Sequence, residues 1–155
     1  MSEQPFFKRF VYRCWQFIKA VNPQLDKTVW KKACNSADPR LQQLLNGLGN
    51  AEKAHTLRVL NFISEDNEIS ADLKKELSEF ALIHDIGKAI TKPSLAFKVA
   101  KVLFKLNGNA HCIAGSRAVW HLTHNKKMAL RILHHHLKTG AEPFILAFQK
   151  YDDKA

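Results

Sequence analysis

Apolar residues recur at three-to-four spacing along nearly the whole chain, the period of an amphipathic helix. Phe6, Phe7, Phe10, Val11, Phe17, Ile18 and Val21 give a first helix, ended by Asn22-Pro23. A second follows Asp26 and carries Val29, Trp30 and Ala33. Asp38-Pro39 opens a third, with Leu41, Leu44 and Leu45 on one face and Gly47 to Gly49 closing it. The fourth runs from about Ala51 to Ile63 with His55, Val59 and Ile63 along one stripe, and polar Ser64 to Glu68 form a loop. Ser70 caps a fifth helix with Asp72 in its first turn. Leu73, Leu77, Phe80, Ala81 and His84 share its face, and Gly87 is placed to release the chain. A sixth helix spans roughly Ser94 to Leu106 and stops at Asn107-Gly108. The seventh holds His111, Gly115, Ala118 and Leu122, and the eighth Met128, Ile132 and His135. After Gly140 and Pro143 the last helix carries Ile145, Phe148 and Asp152. No strand-like alternation, internal repeat or linker interrupts this pattern. It predicts an all-α, single-domain helical bundle in which residues 1–49 supply N-terminal helices packed on a core of residues 50–155.

Composition narrows the class. A chain of 155 residues suits one domain, and 46% hydrophobic residues with 10 Phe can fill a core. The cysteines, Cys14, Cys34 and Cys112, are odd in number and lack Cys-x-x-Cys spacing. They argue against a disulfide framework or a cysteine zinc site and fit a reducing compartment. Cys112, beside His111, reads as a buried thiol. No stretch reaches the roughly 18 uninterrupted apolar residues of a membrane span. Met1 to Ala20 lack the charged-then-apolar order of a secretory signal, so a cytoplasmic protein is expected.

The net charge of +10 is uneven. Between Asp85 and Glu142 there is no acidic residue, while Lys88, Lys92, Lys98, Lys101, Lys105, Arg117, Lys126, Lys127, Arg131 and Lys138 lie there. Such a field either attracts anions, meaning phosphate esters, nucleotides or nucleic acid, or is a solvated basic surface.

Chemistry enters with the histidines and carboxylates, the natural ligands of borderline divalent metals. His84 continues the stripe of Leu77, Phe80 and Ala81 and should point inward; Asp85, about 100° around the helix, can still reach the same centre. The segment Ile83-His84-Asp85-Ile86-Gly87-Lys88 at the end of an apolar helix resembles the defining segment of the HD-domain metal-dependent phosphohydrolases. Upstream, Ala54-His55-Thr56 is similar to that family's first histidine. Downstream, His111-Cys112-Ile113-Ala114-Gly115, then Ile132-Leu133-His134-His135-His136, then Tyr151-Asp152-Asp153 resemble its later histidines and closing aspartate, in the family's order. The resemblance covers roughly residues 50 to 153 and is to the small stand-alone bacterial members.

It implies a hydrolase whose core metal set is His55, His84, Asp85 and Asp152, with Asp153 the alternative to Asp152. His111, His135 and His136 would hold or flank a second ion, His134 would sit on the rim, and Asp85 would bridge. The implied cofactor is one or two divalent transition-metal ions, Mn, Fe, Ni, Co or Zn, with Mg also admissible. The catalytic residues would be Asp85, through the metals, and Lys88, one turn beyond His84, as a cation for the phosphoryl oxygens. The plainer role for Lys88 is a helix C-terminal cation that stabilises by about 0.3–1 kcal/mol. His121 and His124 match nothing in the pattern and read as surface residues.

The chain departs from the cyclic-dinucleotide phosphodiesterase branch. It lacks that branch's glycine-tyrosine-proline segment, and Leu137 follows the histidine run where an acidic residue is common there. The Asp pair stands near the C-terminus, so no C-terminal specificity domain is expected. The partner is therefore expected to be a phosphorylated small molecule or nucleotide of unfixed identity. A different class remains open: a non-catalytic module of the same fold that holds an anionic ligand or nucleic acid. The first helix interleaves Phe6, Phe7, Phe10, Trp15 and Phe17 with Lys8, Arg9, Arg13 and Lys19. It either packs its aromatic face on the bundle or lies on an anionic membrane or nucleic acid.

Overall fold

A computed structural model describes residues 24–92 and 109–155. The helices expected over Phe6–Val21 and Ser94–Leu106 lie outside the described residues. Within them the protein is all-α. Helix α1 covers Lys27–Ser36, a 3-10 turn Pro39–Leu41 leads into α2 at Gln42–Asn46, and α3 covers Asn50–Glu65. They are followed by α4 at Ala71–Ile83, the short α5 at Lys88–Thr91, α6 at Ala110–Thr123, α7 at Lys126–His134 and α8 at Pro143–Asp152.

Local chemistry sets the boundaries. The Asp26 carboxylate accepts from the Thr28 and Val29 amides at 2.8 and 3.0 Å and starts α1. Asp38 caps the next turn, with Pro39 in the position where its missing N–H costs nothing. Ser70 accepts from the Leu73 amide at 3.2 Å to start α4, and Asn125 from the Met128 amide at 3.0 Å to start α7. Each such cap satisfies an amide that would otherwise be orphaned, for about 1 kcal/mol.

The buried faces meet in one core. Trp30, Cys34, Leu41, Leu45 and Leu48 belong to the same cluster as Val59, Ile63, Leu77, Phe80, Ile132 and Phe148. At its centre Phe80 meets Phe148 edge-on, with ring centroids 4.7 Å apart, and Phe144 at 5.5 Å. Helices α3 and α4 pack together, α6 packs on α7, and α8 lies against α3 and α4. Two bonds pin the end of α8 to α3: Tyr151 Oη donates to Asp66 at 2.7 Å, and Arg58 Nε donates to the Ala155 carbonyl at 2.7 Å. They bring Asp152 beside His55.

Three expectations need correction. Gly87 does not release the chain: its φ of −64° is right-handed and the backbone runs on into α5. The left-handed residue is Lys92, at φ 39°. The reason for glycine at 87 is contact instead. A β-carbon there would stand 1.9 Å from the His111 carbonyl oxygen and 2.6 Å from the Gly115 amide. On α6 the buried positions are His111, Cys112, Gly115 and Val119, whereas Leu122 is exposed.

The third correction concerns Arg131, which is no surface cation. It is buried, donates to both Glu142 oxygens at 2.6 and 3.1 Å and to Glu76 at 2.7 Å, and stacks 3.5 Å over the Phe144 ring. Lys127 also pairs with Glu76, at 2.9 Å. Part of the acid-free span's charge is thus neutralised by acids from outside it.

Candidate metal centre

Five elements deliver polar side chains to one place. Helix α3 brings His55 in its second turn. The turn after α4 brings His84 and Asp85, with Lys88 one turn further. The start of α6 brings His111, and the end of α7 brings His135 and His136. The last residue of α8 is Asp152. Carbonyl-rich ends of α4, α7 and α8 therefore lie near the group, and such ends favour a cation.

His84 and His135 occupy equivalent positions, each the residue just after a helix. Each turns its Nδ1 to a carbonyl of the last turn: His84 to Ala81 at 2.8 Å and His135 to Ile132 at 2.6 Å. A carbonyl only accepts, so Nδ1 carries the hydrogen and donates. In the neutral ring Nε2 is then left with a bare lone pair. Both Nε2 atoms are buried with no hydrogen-bond partner, as is Asp85 Oδ1.

What these atoms face decides their chemistry. His84 Nε2 lies 3.4 Å from Asp85 Oδ2 and 3.4 Å from Asp152 Oδ1. Asp152 Oδ1 is also 2.8 Å from His55 Nε2. On the other side, Asp85 Oδ1 lies 3.4 Å from His111 Nε2 and 3.9 Å from His135 Nε2. His111 and His136 bring their Nε2 atoms within 3.2 Å. At His84, His135 and Asp85 acceptors thus face acceptors in the buried interior, where an unpaired polar group is costly. A proton or a metal cation between them resolves the conflict. A carbonyl that accepts from the other ring nitrogen and so fixes each imidazole is the usual support of a histidine ligand.

Ligand atoms form two groups. His55, His84 and Asp152 make one, and His111, Cys112, His135 and His136 the other, with the ligand atoms of each group within 4.8 Å of one another. Asp85 joins them, one oxygen turned to each. These groups could hold a metal ion.

In the metal-free protein the neighbouring carboxylates favour a proton on His84. Burial disfavours charge on His84, yet Asp85 and Asp152 raise its imidazole to about 10. Burial would raise Asp85, but Lys88 and His84 hold it well below the ordinary carboxylate range. Asp152 is lowered in the same way, its burial outweighed by His55 and His84. Burial and the neighbouring His84 push His135 down, and burial and His135 push His136 to about 3. These two rings therefore stay neutral, the form that binds metal. Lys88 donates to Asp85 Oδ2 at 2.5 Å, and that carboxylate keeps its ammonium charged despite burial.

His134, Asp153, His121 and His124 are exposed and belong to neither group. His55 and Lys88 reach solvent with about a quarter of their side chains, and His136 is exposed although its ring lies 3.9 Å from that of His135. These residues form the edge of the centre nearest solvent. Cys112 is the buried thiol that the sequence predicts, and its Sγ also lies 3.5 Å from His111 Nε2 within the second group. Its burial was legible, but nothing along the chain places it beside residues 135 and 136.

The chain matches no family model, no curated protein and no solved structure. No helix among the described residues is long and apolar enough to cross a membrane.

Proposed function

We propose that the protein is a metal-dependent phosphohydrolase that cleaves a phosphomonoester or phosphodiester, with nucleotides among the substrates that fit. The supporting observation is the division of Asp85, which turns one carboxylate oxygen to His84 and the other to His111 and His135. One buried side chain so links two groups of ligand atoms, the arrangement a two-metal hydrolytic centre needs. His55, His84 and Asp152 would hold one ion, His111, His135 and His136 a second, and Asp85 both. A histidine-rich set suits Mn, Fe, Ni, Co or Zn better than Mg. The order of these residues along the chain is the one that resembles the HD-domain phosphohydrolases.

Bound ions would make hydroxide available near neutral pH and hold phosphoryl oxygens for in-line displacement. The protein's residues do the rest. The Ala81 and Ile132 carbonyls orient His84 and His135. Apolar Phe80, Ile86, Ile132 and Phe148 exclude water from behind the ligands. Lys88 stays protonated at the solvent edge and stabilises negative charge developing on a phosphoryl oxygen. Among the described residues Cys34 and Cys112 form no disulfide, which fits a reducing compartment.

Elemental analysis of the purified protein beside Asp85→Asn tests the reading, followed by a screen of phosphomonoesters and phosphodiesters with the metal found. One or two equivalents of transition metal are expected, reduced in the variant, with hydrolysis lost alongside. Hydrolysis that survives both chelation and Asp85→Asn overturns it. Metal without turnover of any phosphoester would favour the non-catalytic module. If that module held nucleic acid, its binding would weaken steeply with salt.

A further inference from the structure

We propose that Cys112 is a metal ligand, its thiolate completing with His111, His135 and His136 a nitrogen-sulfur site for a thiophilic divalent ion in the second half of the centre. The inference rests on the metal of the functional reading above but not on its phosphoester chemistry. Sγ belongs to the same group of ligand atoms as the three imidazoles, all within 4.8 Å of one another. The separations suit a shared ion. Bonds of about 2.3 Å to sulfur and about 2.0 Å to nitrogen, at a tetrahedral angle, place sulfur and nitrogen roughly 3.5 Å apart and two nitrogens roughly 3.3 Å apart. Cys112 Sγ and His111 Nε2 are 3.5 Å apart, and His111 Nε2 and His136 Nε2 are 3.2 Å apart.

A second observation points to a ligand independently of the cysteine. His135 is fully buried, its Nδ1 is committed to Ile132, and its Nε2 is aimed into this group without a partner. The unpartnered Asp85 Oδ1 approaches from the other side. Residues 111 and 112 are neighbours on α6, where successive side chains diverge by about 100°. Both still reach one site, as the 3.5 Å between Cys112 Sγ and His111 Nε2 shows, and the start of α6 lies closely against Gly87 in the turn that carries Asp85.

On binding, the thiol S–H bond is replaced by a metal–sulfur bond, and one proton leaves to solvent. Sulfur in place of oxygen shifts the preference of this half toward Zn, Co or Fe and away from Mg and Mn. The other half, His55, His84 and Asp152, has no sulfur, so the two halves differ in the ion they select.

The experiment is titration of the full-length, metal-free protein with Co(II) while recording its absorption spectrum. Visible ligand-field bands are expected together with an intense near-ultraviolet sulfur-to-cobalt band. Cys112→Ser should lose the sulfur band and keep cobalt in the first half. X-ray absorption of the wild-type protein loaded with Zn should show one sulfur at about 2.3 Å, a readout that needs no variant to fold. Ligand-field bands without a sulfur band in the wild type overturn the proposal and leave the phosphohydrolase reading standing. A sulfur band that survives Cys112→Ser also overturns it. Failure to bind any cobalt sinks both readings at once.

Discussion

Replacing Gly87 by alanine should damage both the fold and half of the proposed metal centre. The added β-carbon would lie 1.9 Å from the His111 carbonyl oxygen, 2.6 Å from the Gly115 amide nitrogen and 2.8 Å from the His111 carbonyl carbon. All three are backbone atoms, so no flexible side chain can swing aside. Ordinary contact begins near 3.4 Å, and the start of α6 would have to retreat by more than an ångström. Overpacking typically costs about 1–3 kcal/mol, and a backbone obstacle places this case at about 3 kcal/mol. For a chain of this size that lowers the melting temperature by roughly 6–12 °C. Metal ligands tolerate errors of about 0.2 Å, so the half containing His111 should lose the ion proposed for it even where the fold adapts.

Thermal denaturation of the metal-free protein followed by circular dichroism measures the first effect, and metal stoichiometry the second. Two controls grade the argument. Gly115→Ala meets the Gly87 nitrogen at 3.0 Å and Ile132 Cγ2 at 3.2 Å, a milder crowding that should cost about 1 kcal/mol. Gly140→Ala meets nothing within 4 Å, but its φ of +70° is left-handed, costing about 1 kcal/mol with no loss of metal. A Gly87→Ala protein that melts with the wild type and keeps its full complement of metal would refute the reasoning.

Arg131→Ala should destabilise by about 2 kcal/mol in denaturant unfolding, less than the roughly 3–5 kcal/mol of a fully buried pair because Glu76 and Glu142 both reach solvent. The same pairing gives acid sensitivity. Hydrogen bonds from Lys127 and Arg131 lower Glu76, and Arg131 lowers Glu142. Their stabilisation is therefore complete above the ordinary value of 4.5 and lost as pH falls through the depressed native values. The unfolding midpoint of Arg131→Ala should change less over that acid range than the wild type's. At His84 the sign is opposite. Its folded value, raised from 6.5 to about 10, contributes stability that is complete below 6.5 and lost as pH rises toward 10 in the metal-free protein. Metal must displace that proton, so binding near pH 7 should acidify a weakly buffered solution and tighten as pH rises. Uptake of metal without proton release would contradict the assignment of His84.

Much of the centre was legible before folding was considered. His84 and Asp85 close an apolar helical stripe, His55 and Asp152 lie on stripes of their own, and polar groups on buried stripes need partners. Asp152 rather than Asp153 follows from the same periodicity, because Asp152 continues Ile145 and Phe148, which are buried. Arg131 was not legible. It sits beside Ile132 in a run of cations, and only the packing of α4 and α8 shows that Glu76 and Glu142 come to it. The one hint was Glu142 itself, the first acid after a long stretch without any. Gly87 was read as a terminator because glycine often ends helices, yet its use is an interhelical contact that no local pattern encodes.

The sequence alone determined that the described residues form amphipathic helices, where most of these begin, and that His84, Asp85 and His135 face inward. Those are properties of neighbours three and four residues apart, and local periodicity carries them. Tertiary structure decided how the inward-facing groups divide. The splitting of Asp85 between two sets, the grouping of Cys112 with one of them, and the neutralising of Arg131 by Glu76 and Glu142 are contacts between segments far apart in the chain, which local periodicity does not carry.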